Sequence, residues 1–300
     1  MRSNVTEYDL TSPATLQEAL SALAQNPGHY TPIAGGTELM VALAAGRLRE
    51  KNLLSLHHLQ ELRFITATPD AVTIGAGTTF SDIRRSDLLA AELPLLTQAA
   101  GWTGSIANQN RGTLGGNIVN ASPAADTPPA LLAYDATVTL IAAGTVTGEI
   151  AARLLAYRDF HLGYKRTALR PGELLHSITV PRAYARYRSY IRKVGTRNAQ
   201  AISKVALAAV AQISEGEQRT ILDIRIGAAS LREVPARCTV TEAALLNQLL
   251  TPATLPALIA RARAALATEA RPIDDIRSTA RYRAAVAANL LEEFLTQLLP

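Results

Sequence analysis

Two short stretches rich in glycine constrain the fold of this chain more than any other feature of its sequence. The first glycine segment, residues 32–39, has the sequence PIAGGTEL, and the second glycine segment, residues 111–126, has the sequence RGTLGGNIVNASPAAD. Adjacent glycines and small side chains let a ligand approach the main chain closely, with its N–H groups unshielded. The first segment joins an apolar strand end to a helix start. Two loops of this composition predict one ligand held from both sides.

The glycines have two explanations at this stage. A single short glycine motif most often marks a tight turn. Two such motifs, each with a threonine and an acidic or amide side chain beside the glycines, favour a ligand site instead. Neither segment contains the lysine of a P-loop, which argues against nucleoside triphosphate hydrolysis. A ligand with a pyrophosphate, bound by backbone amides, therefore fits the pair best.

The composition predicts a globular protein of two or three compact units. The chain has 300 residues, of which 48% are apolar and 18% charged, and this length is enough for more than one core. No stretch approaches the roughly 18 uncharged apolar residues of a membrane span, and residues 1–10 do not resemble a signal peptide. We therefore expect a cytoplasmic protein without a membrane span.

The positive charge is concentrated but does not indicate a nucleic-acid partner. Residues 153–197 contain eleven of the basic side chains and only two acidic ones, in a chain of net charge +5. A stripe of this kind can attract phosphates or an acidic partner. It lacks a recognisable reading helix or RNA-binding signature. We expect most of these side chains to form a solvated surface and expect no nucleic-acid partner.

The cysteine and histidine content argues against a disulfide, a cysteine-held zinc or an iron-sulfur cluster on this chain. Cys238 is the only cysteine, so the chain alone can form no disulfide and hold no iron-sulfur cluster. We interpret Cys238 as a packing residue rather than a nucleophile. The histidines lack the spacing of metal ligands. Any redox role must therefore use an organic cofactor, and we assign no catalytic residue and no metal ligand.

Apolar periodicity divides the chain into three units, residues 1–57, 58–181 and 182–300. In the first unit, helices alternate with short strands around the first glycine segment. The second begins with a hairpin signal at Pro69-Asp70 and carries the second glycine segment. We predict a mixed fold for this unit, in which helices precede a pair of strands at 137–142 and 145–150.

The third unit changes from strands to helices. Three strands are predicted at 188–194, 205–213 and 220–226, and helices follow them. In the last helix, residues 278–298, one row of large side chains recurs every fourth residue and should pack along the sheet. This row consists of Tyr282, Val286, Leu290, Phe294 and Leu298. The sequence therefore predicts an α+β protein that ends in a three-stranded antiparallel sheet covered by helices.

Four separated motifs resemble the FAD-binding subunit of the molybdenum hydroxylases, the family of xanthine dehydrogenase and carbon monoxide dehydrogenase. They are PIAGGTEL, NRGTLGGNIVNASPAAD, GYKRTALRPGELL and PIDDIRSTARYR. Their order and spacing match the family over essentially the whole chain. The resemblance implies the two-part FAD-binding fold of the vanillyl-alcohol oxidase (PCMH) type, followed by the sheet and helices of the third unit. It also implies FAD as the cofactor.

The resemblance further implies which residues bind FAD. Residues 33–39 would wrap the pyrophosphate through backbone amides, and side chains or amides of the second segment would complete the cradle. The first group consists of Ile33, Ala34, Gly35, Gly36, Thr37, Glu38 and Leu39, and the second of Thr113, Gly115, Gly116 and Asn117. Val119 and Asn120 would lie near the isoalloxazine ring.

Four further positions each have two explanations. Asp126 would bind a ribose or ribityl hydroxyl, or would cap the helix that begins at the following prolines. Lys193 would stabilise the anionic reduced flavin, or would be a surface lysine. Leu175 would pack near the flavin or simply in the core. Trp102 falls close to the position where relatives place an aromatic ring over the flavin, but we favour core packing.

The resemblance implies a subunit that works in a complex. A large partner would hold the molybdenum cofactor, a small partner would hold the 2Fe-2S clusters, and FAD on this chain would pass electrons to NAD+ or another acceptor. A stand-alone flavin reductase or oxidase on the same fold is the alternative, although no catalytic acid stands out. A non-catalytic nucleotide-binding module is the third hypothesis.

Overall fold

The architecture is known from a computed structural model that describes residues 4–144, 148–197, 200–216 and 218–299. Strands and helices are numbered in chain order. The strands are β1 Asp9–Thr11, β2 Thr31–Ile33, β3 Asn52–Ser55, β4 Ile65–Ala67, β5 Ala71–Gly75, β6 Thr137–Ala143, β7 Ile150–Ala156, β8 His161–Gly163, β9 Arg166–Thr167, β10 Leu174–Pro181, β11 Arg188–Val194, β12 Val205–Ile213, β13 Ile221–Ala229 and β14 Ala236–Arg237. The helices are α1 Leu16–Gln25, α2 Leu39–Ala44, α3 Phe80–Arg85, α4 Asp87–Glu92, α5 Pro94–Trp102, α6 Ile106–Arg111, α7 Leu114–Val119, α8 Pro128–Ala133, α9 Thr239–Leu245, α10 Leu255–Glu269 and α11 Ala280–Gln297.

The N-terminal part is a small parallel sheet in the order β1-β3-β2. Helix α1 covers it, because Leu16, Leu20 and Leu23 recur on one face and are buried, as the helical spacing predicts. The first glycine segment leaves this sheet at the carboxyl end of β2. In parallel sheets this end is where ligands usually bind.

A five-stranded antiparallel sheet in the order β4-β5-β10-β6-β7 forms the middle of the molecule. The hairpin predicted at Pro69-Asp70 joins β4 to β5. Of the strand predicted at 145–150, residues 145–147 lie outside the described residues, and strand β7 occupies Ile150–Ala156. Helices α3 to α8 fill the long connection between β5 and β6. The main core lies between this sheet and those helices.

The C-terminal part is an antiparallel sheet in the order β11-β12-β13-β14 with helices α9 to α11 against one face. The three predicted strands are present, and a two-residue strand, β14, extends the sheet by one. Such a short strand carries no alternating pattern, so the sequence does not reveal it. Strand β12 shares its side chains between two cores: Ala208 and Val210 join the main core, whereas Leu207 and Ala209 pack under the helices.

The row predicted along the last helix is only partly correct. Leu290 and Phe294 are buried, but Tyr282 at the start of the row is 43% exposed and Arg283 beside it is buried. A spacing of four residues exceeds the 3.6 residues of a helical turn, so the row drifts around the helix. Among the described residues, no helix has both the length and the apolar character needed to cross a membrane.

Candidate functional site

The first glycine segment presents a row of unused backbone donors. Within the described residues, the N–H groups of Gly35, Gly36, Thr37, Glu38 and Leu39 donate to no protein acceptor, and the first backbone bond after them is Met40 N–H to the Gly36 carbonyl at 2.8 Å. Consecutive free N–H groups in a turn form a concave site for an anion. Gly35, Gly36 and Leu39 are half-buried, and amides in such positions are normally paired, so this row indicates a ligand with several acceptor oxygens.

The second glycine segment uses its amides inside the protein. Leu114 N–H donates to the Thr78 carbonyl at 2.9 Å and Gly115 N–H to the Ala76 carbonyl at 2.8 Å. Gly116 N–H donates to the Thr113 hydroxyl at 3.0 Å, which caps helix α7. These three amides are therefore occupied within the protein, in contrast to the row in the first segment.

Two glycines are required where backbones touch. A Cβ atom on Gly35 would lie 1.9 Å from the carbonyl oxygen of Arg111, so the two glycine segments are in direct contact at this point. A Cβ atom on Gly115 would lie 2.5 Å from the Cβ of Ala76. These two glycines therefore permit close packing, and that packing brings the segments together at one surface. The ligand-site explanation stays a prediction.

Gly116 differs from these two glycines because it is exposed. A Cβ atom there would meet only the Thr113 hydroxyl, at 2.9 Å. Val119, on the same short helix α7, is 39% exposed. This part of the second segment is open to a ligand, as the resemblance implies.

The polar side chains of the second segment have protein partners. The Asn117 side-chain oxygen accepts a hydrogen bond from the Thr127 hydroxyl at 2.6 Å. The Asn120 side-chain oxygen accepts one from Lys165 Nζ at 2.5 Å, and the same ammonium lies 3.4 Å from Glu38 in the first segment. Lys165 therefore connects the two glycine segments. It belongs to the GYKRT motif, but its role could not be inferred from that motif alone.

Asp126 and Lys193 form a buried ion pair. Lys193 Nζ donates to Asp126 Oδ2 at 2.7 Å and to the Trp102 carbonyl at 3.0 Å, and Ser203 donates to Asp126 Oδ1 at 2.7 Å. The two charged side chains are only 11% and 9% exposed. Burial raises the pKa of the Asp126 carboxyl, and the charge and hydrogen bond of Lys193 oppose that shift.

This pair changes the interpretation of both residues. The surface-lysine explanation of Lys193 is wrong, because its ammonium is buried against a carboxylate. The helix-cap explanation of Asp126 is also wrong: Thr127 is the N-cap residue of α8, and no side chain caps that helix. The role of Asp126 at a ribose or ribityl hydroxyl stays a prediction. Ser203, whose role no sequence motif predicts, completes the cluster.

The two apolar candidates pack in the main core. Leu175 is buried on β10 beside Leu140 of β6, and Trp102 packs against the edge of the same core. The preference for core packing of Trp102 is confirmed. Contact of Leu175 with a flavin stays a prediction.

The residues present fit the diphosphate of FAD. Five free amides and the exposed surface of Gly116 lie on segments that touch each other. Backbone amides suit phosphate oxygens because they are fixed donors without side-chain bulk. Asp126, Lys193 and Ser203 form a separate buried cluster, with Asp126 just before α8, Lys193 on β11 and Ser203 between β11 and β12.

Comparison with known proteins extends over both halves of the chain. Residues 6–183 match the family described as FAD binding domain in molybdopterin dehydrogenase, and residues 190–298 match the CO dehydrogenase flavoprotein C-terminal domain. The glyceraldehyde dehydrogenase medium chain of Sulfolobus acidocaldarius is 30% identical over 277 residues, covering 92% of this chain and 93% of that protein. The carbon monoxide dehydrogenase medium chain of Afipia carboxidovorans is 29% identical, with 95% and 94% covered.

Solved structures agree with the sequence relatives. A chain of carbon monoxide dehydrogenase from Hydrogenophaga pseudoflava superimposes with a TM-score of 0.88 at 27% identity, covering 98% of this chain and 96% of that chain. A chain of quinoline 2-oxidoreductase from Pseudomonas putida 86 has the same fold, with a TM-score of 0.87 at 22% identity. The resemblance inferred from the four motifs is therefore confirmed. This chain is an oxidoreductase subunit that binds FAD, and it belongs to the family of FAD-binding medium subunits of the molybdenum hydroxylases.

Proposed function

We propose that this chain binds one FAD on the surface shared by its two glycine segments and passes electrons from partner iron-sulfur clusters to a soluble acceptor. The observation that carries the proposal is the row of five amides from Gly35 to Leu39, which have no acceptor in the part of the chain that the structure describes, beside the exposed Gly116. These amides would hold the diphosphate. When bound, FAD supplies the exchange between two-electron and one-electron carriers that the protein's own side chains cannot perform.

The remaining residues have supporting roles in this proposal. Ile33 and Ala34 would lie alongside the diphosphate, and Thr113, Gly115, Gly116 and Asn117 would form the opposite wall of its site. Val119, Asn120 and Leu175 would border the isoalloxazine ring. Asp126 and Lys193 would orient the part of the cofactor nearest to their ion pair. The units proposed for this arrangement are residues 1–57, 58–181 and 182–300.

The partners follow from what the chain lacks. A 2Fe-2S cluster needs four cysteine or histidine ligands, and the single cysteine, Cys238, is buried. Burial also raises the pKa of its thiol, which keeps it protonated. The clusters are therefore proposed on a small subunit and the molybdenum cofactor on a large one. NAD+ is the proposed acceptor, and the cytoplasm is the proposed compartment.

The purified full chain tests this function. We expect a yellow protein with about one FAD per chain that reduces a dye with NADH, and we expect Gly116→Val to lose both properties together. A yellow protein that ignores NADH but accepts electrons from a reduced iron-sulfur partner would retain the flavin role and exclude NAD+. A colourless protein would support the nucleotide-binding or assembly module. Turnover of a carbon substrate without partners would support the stand-alone enzyme.

A further inference from the structure

A small hairpin that follows β7 reaches both glycine segments. Strands β8 and β9 pair antiparallel, and the turn between them holds Lys165 in the left-handed region, with φ 55°. The Lys165 N–H donates to the Ala121 carbonyl in the second segment at 3.3 Å. At the same turn, Tyr164 N–H donates to the Glu233 carboxylate at 3.2 Å. The hairpin is therefore anchored on both sides, and its turn directs one lysine toward the proposed FAD site.

The ammonium of Lys165 lies between the two segments. It donates to Asn120 Oδ1 at 2.5 Å and lies 3.4 Å from Glu38 Oε1. An ammonium has three donors, so one remains available after these two contacts. The Glu38 contact is long and the Glu38 side chain is 63% exposed, which makes it a weak ion pair.

The glycine segments themselves offer no free cation to the diphosphate of FAD. Residues 32–39 contain no basic side chain, and the one in the second segment, Arg111, is directed to His57, with Nη1 3.2 Å from Nε2. Because an arginine only donates, His57 Nε2 is the acceptor in this contact. Lys165 is the cation that contacts Glu38, whose own N–H is one of the five free donors.

We propose that Lys165 is a diphosphate-binding residue: its ammonium keeps Asn120 and exchanges the weak Glu38 contact for a phosphate oxygen of FAD. This inference rests on the proposed function and adds the charged partner of the amide row. It assigns Glu38 a second role, as the group that holds the lysine in place until the cofactor arrives. Lysine serves this purpose in other phosphate sites as a point charge.

Binding constants of the flavin-free full chain for FAD test the proposal. Lys165→Met should weaken FAD binding about tenfold, the lower end for a charged hydrogen bond because the side chain is 38% exposed, and should reduce its dependence on salt. Lys165→Arg should restore most of the affinity. Arg166→Met, which removes the neighbouring positive charge on the same hairpin, is the matched control and should bind as the wild type does. Equal constants for Lys165→Met and Arg166→Met would overturn the inference.

A second variant, Glu38→Gln, distinguishes phosphate binding by Lys165 from a purely structural contact of Lys165 between the two segments. Glu38→Gln removes the competing carboxylate, so FAD should bind severalfold more tightly. If Lys165 only ties the segments together through Glu38, the same variant should bind FAD more weakly, and that outcome would refute the proposal. The phosphorus-31 resonances of bound FAD should shift in Lys165→Met and stay unchanged in Arg166→Met.

Failure of this inference differs from failure of the proposed function. A wild-type chain that binds no FAD overturns both. A wild-type chain that binds FAD, loses it in Gly116→Val and keeps it in Lys165→Met overturns only the role of Lys165.

Discussion

The contact between the two glycine segments can be tested at Gly35. The Cβ atom of Gly35→Ala would lie 1.9 Å from the Arg111 carbonyl oxygen, 2.5 Å from its carbon and 2.9 Å from the Gly112 Cα. All three are backbone atoms, so no side chain can rotate away. Ordinary van der Waals contact begins at 3.4 Å, so the segments must separate by about 1.5 Å at the closest pair.

This separation exceeds the range over which hydrogen bonds to a fixed diphosphate can adjust, roughly 2.7–3.2 Å. Loss of two charge-assisted bonds from the amide row, at about 1.5–3 kcal/mol each, weakens FAD binding at least about a hundredfold. Overpacking should also lower the free energy of unfolding by about 1–3 kcal/mol. Fluorescence titration with FAD measures the first effect, and urea unfolding measures the second.

Gly101→Ala provides the control. It lies in helix α5, and its Cβ atom would meet nothing closer than Arg84 Nε at 3.7 Å. Alanine is the better helix former by up to about 1 kcal/mol, so this variant should bind FAD normally and unfold no more easily. If Gly35→Ala binds FAD within about threefold of the wild type, the segments do not need their contact, and the reasoning from their packing is wrong.

Three further changes test the cofactor surface, the ion pair and a buried histidine. Gly116→Val should abolish flavin retention with an unchanged far-ultraviolet dichroism spectrum; a retained flavin would contradict the site. Lys193→Met should destabilise the chain by about 3–5 kcal/mol in urea, because it leaves the Asp126 carboxylate buried without its partner, and adding Asp126→Asn should recover part of the loss. Burial lowers the pKa of His161 to about 4 from 6.5, so the folded protein resists protonation of this side chain. The contribution of His161 to the free energy of unfolding is therefore fully present above pH 6.5 and is lost as the pH falls toward 4. His161→Phe should remove up to about 3 kcal/mol of that loss, and parallel urea curves at pH 7 and 4.5 would show whether the two proteins differ.

The sequence predicts both glycine segments but not which of their backbone amides are free to bind a ligand. Small residues and glycines predict backbone exposure in both. Whether an amide is free depends on distant acceptors, and those of Leu114 and Gly115 are carbonyls of Thr78 and Ala76, which precede them by about 40 residues. Only the folded chain can place these acceptors.

The partners of the charged residues lie far away in the sequence. Asp126 and Lys193 are 67 residues apart, and nothing local in the sequence indicates that they pair. Lys165 lies within a recognised motif, yet the contact to Glu38 spans 127 residues. In contrast, the hairpin at Pro69-Asp70 follows from neighbours in the chain, and its prediction is confirmed.

Strand β12 has a consequence for how this protein melts. Its alternate side chains serve two interiors at once, with Ala208 and Val210 on one side and Leu207 and Ala209 on the other. Removal of this strand would expose both hydrophobic cores to water. Although the sequence predicts three units, the polypeptide should denature in a single cooperative transition, and a shortened version ending near residue 182 should not fold into a soluble flavin carrier.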